Sequence, residues 1–129
     1  MKIINYTAGA VLIVAATSAN ATLIGASNGG LWDYDVSTDT STFIGNTGVM
    51  FDIALNPITD RLYGVSSGGT LFEIDKSDAS TTPIGSTGAT INGLTFSSDG
   101  TLYGSGGNSL YTLNLGDGSA TSIGSGGYA

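Results

Sequence analysis

The sequence predicts an all-β protein, and three observations carry that prediction. Gly supplies 21 of the 129 residues and Pro only 2, while aliphatic and aromatic residues return at short, regular intervals between the glycines. In segments such as Leu71–Asp75 the apolar residues alternate with polar ones at a period of two, the mark of a strand with one packed face. Beyond residue 21 no stretch sustains a helical period. Many short strands joined by tight turns satisfy all three observations.

Residues 1–21 read as a secretory signal peptide, removed by cleavage after Ala21. Lys2 gives the positive n-region, Ala8–Ala16 (AGAVLIVAA) an apolar stretch of h-region length, and Ala19-Asn20-Ala21 the small-x-small cleavage site. A bilayer-spanning helix needs about 20 apolar residues. Thr17, Ser18 and Asn20 end this stretch too early for that, so no transmembrane anchor is expected. The product is expected to be secreted, to the periplasm or beyond the cell.

The first strands after the leader are predicted at Thr22–Ala26, Leu31–Val36 and Ser41–Ile44. Four more follow at Phe51–Leu55, Arg61–Val65, Leu71–Asp75 and Thr81–Ile84, then four at Ile91–Phe96, Thr101–Ser105, Leu110–Asn114 and Ala120–Ile123. Asn28-Gly29-Gly30, Ser67-Gly68-Gly69 and Gly106-Gly107-Asn108 supply hairpin turns that tolerate positive φ. Asn56-Pro57 and Ser97-Ser98-Asp99-Gly100 supply the other turn type.

These strands repeat in phase. Leu23-Ile24-Gly25 matches Leu62-Tyr63-Gly64 and Leu102-Tyr103-Gly104, and Phe43-Ile44-Gly45 matches Pro83-Ile84-Gly85 and Ser122-Ile123-Gly124. Four antiparallel strands in roughly every forty residues describe a β-propeller blade. The chain therefore divides into repeats at about 22–48, 49–88 and 89–129, an open arc of about three four-stranded sheets. Such a sheet has no core of its own and packs on its neighbours. Trp32/Tyr34, Phe72/Ile74 and Tyr111/Leu113 are expected to form packed faces, with Trp32, Tyr63, Tyr103 and Tyr111 in the core.

Composition excludes several functions. All ten acids lie beyond the leader, where only Arg61 and Lys76 are basic, and the formal net charge of the whole chain is −7. Such a surface cannot hold a nucleic-acid backbone or an anionic membrane. There is no His and no Cys, which excludes disulfides, thiol nucleophiles, Cys/His zinc sites and histidine acid–base catalysis. Cationic ligands, carbohydrates, proteins and divalent metals stay open as partners.

The pattern G-L-x-F-x-x-D-G-x-L-Y-G…L-Y-x-L-N…G-x-x-T-x-I-G, standing at Gly93 to Gly124, resembles exported bacterial propellers of the YVTN/NHL/SMP-30-like group. It is most similar to secreted repeat proteins that often end in a Pro-Glu-Pro sorting tail. The resemblance implies a propeller fold and no single activity, since propellers host lectins, lyases, lactonases and scaffolds alike. Typical propellers have about four to eight blades, so three cannot close a ring. The chain is expected to be a fragment of a longer propeller, with self-association into a ring as the alternative.

Two sets of residues are candidate metal ligands, with calcium the candidate ion. Asp33, Asp35, Ser37 and Asp39 space their oxygens like a calcium loop, D-x-D-x-S-x-D. The competing reading is a hairpin turn, because the matching Glu73, Asp75, Ser77 and Ala79, and Thr112, Asn114, Gly116 and Gly118, lose the ligands. The second set comes from the resemblance. SMP-30-like enzymes hold a divalent cation near the innermost strand, which implies Asp52 and Asn92 as ligands from adjacent blades. The competing reading is hydrogen bonding at a strand start.

Three function classes follow. A non-catalytic binding or scaffold propeller is favoured by the missing His and Cys and the scarce Lys and Arg. A metal-dependent lactonase or lyase would use Asp52 and Asn92 together with residues outside this sequence. A sorting-tail surface or matrix protein would need a hydrophobic tail. Sequencing the N-terminus of the exported protein is expected to return Thr-Leu-Ile-Gly from Thr22; an intact Met1 in the secreted fraction would overturn the leader assignment.

Overall fold

The computed structural model describes residues 22–126, so the predicted leader lies outside the described residues. Eleven strands form three antiparallel sheets, with no helix among the described residues. The first sheet has β1 (Thr22–Ser27), β2 (Gly30–Asp35) and β3 (Thr40–Asn46) in that order. The central sheet has β4 (Met50–Leu55), β5 (Leu62–Ser66), β6 (Thr70–Ile74) and β7 (Thr81–Ser86). The third has β8 (Gly93–Phe96), β9 (Leu102–Gly106), β10 (Ser109–Leu113) and β11 (Ala120–Ser125).

Within each sheet every strand pairs with the next in sequence, so the connections inside a sheet are hairpin turns, while β3–β4 and β7–β8 lead from one sheet to the next. Asn28 and Gly29 both take positive φ between β1 and β2, as a two-residue hairpin requires. The last two strands of each sheet share an irregularity. The register slips at Leu31/Trp32, at Leu71/Phe72 and at Leu110/Tyr111, the same place in each sheet. β8 starts two residues later than expected, at Gly93, because the chain at Thr90 crosses over Gly106 instead of pairing with it.

The core is divided between two joints. Leu31 of the first sheet meets Leu62, Ile74 and Ala79 of the central sheet, with Ile24, Ile44, Met50 and Ile53 packed around them. Tyr63, Val65 and Leu71 of the central sheet meet Ile91, Leu94, Leu102 and Leu113 of the third. The central sheet thus buries both faces, and β6 sends Leu71 into one joint and Ile74 into the other. Each leucine so buried contributes about 1.5–3 kcal/mol. The expectation of one packed face per strand holds only for the outer sheets.

Trp32 departs from its expected place. Leu31 points into the first joint, so its neighbour Trp32 lies on the opposite face of β2, where no described element covers it. Trp32 is 37% exposed and Phe43 beside it 48%. Tyr63 is buried as expected, whereas Tyr34, Tyr103 and Tyr111 are only half-buried.

Each joint closes on a glycine. A Cβ on Gly45 of β3 would collide with the carbonyl oxygen of Asp78, in the turn between β6 and β7. A Cβ on Gly85 of β7 would collide with that of Asp117, in the turn between β10 and β11. Gly124, the matching residue of β11, has nothing within 4 Å among the described residues. Gly85→Ala should therefore lower stability by about 1–3 kcal/mol, while Gly124→Ala changes it by less than ~0.5 kcal/mol. Urea unfolding of the two variants checks this, and equal effects would contradict the close approach.

Candidate functional site

Two of the acids expected to bind metal, Asp35 and Asp52, accept from backbone N–H groups. Asp35 ends β2, and its Oδ1 accepts from the Ser37 backbone N–H at 2.8 Å and from the Ser37 hydroxyl at 2.6 Å. Asp75 repeats this geometry with Ser77, at 2.8 and 2.6 Å. These bonds to the charged form hold both carboxyls below the usual Asp range, the Ser hydroxyl contributing most. Ser119 and Ser97 do the same for Asp117 and Asp99.

Asp39 accepts from the Tyr34 hydroxyl. Tyr34 lies on the face of β2 opposite to Asp33 and Asp35, so the loop does not converge its three carboxylates. Asp33 Oδ1 is buried without a partner. Asp39 also takes positive φ, as do Ala79 and Gly118 at the matching places. The 35–40 segment has the geometry of a hairpin turn that the other two repeats share.

Asp52 sits near the start of β4. Its Oδ1 accepts from the Ile53 N–H at 2.9 Å, and its Oδ2 accepts from the Leu94 N–H on β8 at 2.7 Å. The carboxylate therefore bridges the first strands of two sheets. Asn92 is exposed, and its backbone N–H donates to the Ser105 carbonyl at 2.9 Å. Among the described residues no three His, Cys, Asp or Glu side chains gather as a metal site would need. Among the described residues both basic side chains are paired with acids, Arg61 with Glu73 at 3.1 Å and Lys76 with Asp60 at 2.7 Å.

Two hollows stand out instead, and neither was expected from the sequence. One lies at the end of the central sheet, beside the segment that leads on to the third, about 340 Å³ in volume, walled by Phe51, the Ser67–Gly69 turn and the chain from Ser86 to Ile91. Ile91 forms its buried floor, Phe51 is 49% exposed, and Ser67, Ser86 and Thr90 are exposed around it. No ionisable side chain lines it. Thr87 fixes its shape: the backbone N–H donates to the Gly69 carbonyl at 2.9 Å, and the hydroxyl reaches the Gly69 and Ala89 carbonyls at 3.0 and 2.7 Å. The only sequence signal was that Phe51 stands where Ile91 does, and periodicity does not show that one is open and the other sealed.

The second hollow, about 450 Å³, lies on the uncovered face of the first sheet. Trp32 and Phe43 meet edge to face there at 4.9 Å, with Asn28, Ser41 and Asn46 around them.

No protein-family model and no curated protein matches this sequence. Solved structures do. One, described by the words "the de novo evolutionary emergence of a symmetrical protein is shaped by folding constraints", aligns over 83% of this chain and 55% of its own, with TM-score 0.59 and 23% identity. Another, hydrazine synthase of Kuenenia stuttgartiensis, aligns over 78% of this chain and 31% of its own, with TM-score 0.59 and 18% identity. The chain thus spans about half or less of each, and at these identities the likeness concerns the fold.

Asp52→Ala should cost about 1.5–3 kcal/mol, the loss of charge-assisted hydrogen bonds to two backbone N–H groups. Thermal unfolding should show that loss equally in EDTA and in calcium. A calcium-dependent rise in Tm that the variant lacks would instead make Asp52 a ligand.

Proposed function

We propose that the chain is an exported, non-catalytic binding module. Its three sheets act as propeller-type blades, and the groove beside Phe51 takes an uncharged, hydroxyl-rich ligand of the carbohydrate class. The observation that carries this reading is the groove's lining, an open Phe51 ring beside the Ser67, Ser86 and Thr90 hydroxyls with no ionisable group. A ring face packs on the apolar face of a sugar, and hydroxyls exchange hydrogen bonds with its polar edge.

Two further points support it. Apart from Asp33, carboxylates that a hydrolase would need are engaged in turns, in side-chain bonds, in ion pairs or, at Asp52, in joining two sheets. The groove walls are held by backbone bonds through Thr87, so the site is formed before a ligand arrives. The blade reading draws on the sameness of the two joints, each closing a turn onto a glycine.

Calorimetry of the exported chain against a panel of neutral oligosaccharides tests the proposal. Binding by at least one is expected, with Phe51→Ala weakening it about tenfold or more and leaving Tm unchanged. If no neutral glycan binds, or if Phe51→Ala binds like the parent, the reading fails.

A further inference from the structure

The two outer faces of the molecule are complementary to each other. Inside the chain one type of joint is made twice. The turn after the third strand of a sheet, Asp75–Ser80 or Asn114–Ser119, seats on a glycine of the preceding sheet, Gly45 or Gly85. A third turn and a third glycine exist, and neither is used. The turn is Asp35–Thr40, ahead of which no described sheet lies. The glycine is Gly124, with nothing within 4 Å among the described residues.

The unused turn has the built shape of the used ones. Asp35 Oδ1 accepts from the N–H two residues on at 2.8 Å, as Asp75 and Asn114 do, also at 2.8 Å. The left-handed residue falls at the same step in each, with φ of 55° at Asp39, 65° at Ala79 and 81° at Gly118.

The apolar residues flanking this turn and this glycine are uncovered in step. Leu23 is 56% exposed, whereas its counterparts Leu62 and Leu102 are 3% and 1% exposed. Ile123 is 50% exposed, whereas Ile44 and Ile84 are packed into joints. The strands of the third sheet contain no charged residue. An acidic chain can therefore present this face to another copy without placing like charges in contact.

We infer that two copies of this chain join head to tail, the first sheet of one packing on the third sheet of the other with the Asp35–Thr40 turn seated on Gly124. The joint is heterologous, because the two faces differ, so it extends into a ring or a filament.

The exported chain, followed by analytical ultracentrifugation up to about 1 mM, should associate with rising concentration. Gly124→Val spoils the tail face only, and Leu23→Glu the head face only. Both positions are open in the single chain, so each variant should stay folded by circular dichroism and sediment as a monomer. Mixed in equal amounts, the two should form a 1:1 dimer and nothing larger, since each supplies the face the other lacks. Should Leu23→Glu unfold, Phe43→Glu takes its place. A parent that stays monomeric throughout, variants that associate like the parent, or a mixture that stays monomeric would each overturn the inference.

Discussion

Everything in this molecule depends on a sheet being unable to bury itself. A four-stranded sheet of short strands has two faces and no interior, so its apolar residues leave water only where another sheet covers them. The central sheet is covered twice and carries fully buried residues on both sides, Val65 and Leu71 on one and Leu62 and Ile74 on the other. The outer sheets are covered once, and the same repeat positions that are sealed in the centre lie open at Leu23 and Ile123. Exposure here is set by place in the series and not by residue type.

The polar residues are arranged around that constraint. Turns are short and exposed, and their free N–H groups need acceptors. Asp and Asn at the turn starts provide them, and Ser hydroxyls add a second donor to the same oxygen. Asn56 shows the buried form: its Oδ1 accepts from the N–H groups of Ile58 and Thr59, at 2.9 and 3.2 Å. Asp52 extends the principle across a joint, since its two oxygens hold N–H groups of different sheets. An acidic composition that suggested ligands for a cation is used largely to satisfy backbone donors.

Most of the fold could be read from the sequence. Strand order, turn positions and the three-part division follow from local signals, namely the two-residue period and glycine-bearing turns, and such signals survive any tertiary context. The strands holding Leu31-Trp32 and Leu71-Phe72 were expected one residue late at each end, and the bulge between each pair was invisible, because a slip of one residue leaves the composition unchanged. Trp32 was misplaced for a different reason. Its repeat position is a packed one, and only the absence of a described neighbour opens it. The groove at Phe51 is walled by three stretches far apart in sequence, at Phe51, Ser67–Gly69 and 86–91, so no local pattern announces it. The spacing of Asp33, Asp35 and Asp39 fitted both a cation loop and a turn, and only strand parity at Tyr34 separates them.

The two joints differ in how much they seal. Among the described residues, four buried ones hold the first sheet to the central one, and eight hold the central sheet to the third. One of the four is Ala79, whose left-handed backbone is unfavourable for a residue with a Cβ and is kept because its methyl group fills the joint. Cohesion therefore grades along the chain from N- to C-terminus. The first sheet is the part that opens at lowest energy while the remainder stays intact, a hinged leaf on a firmer pair.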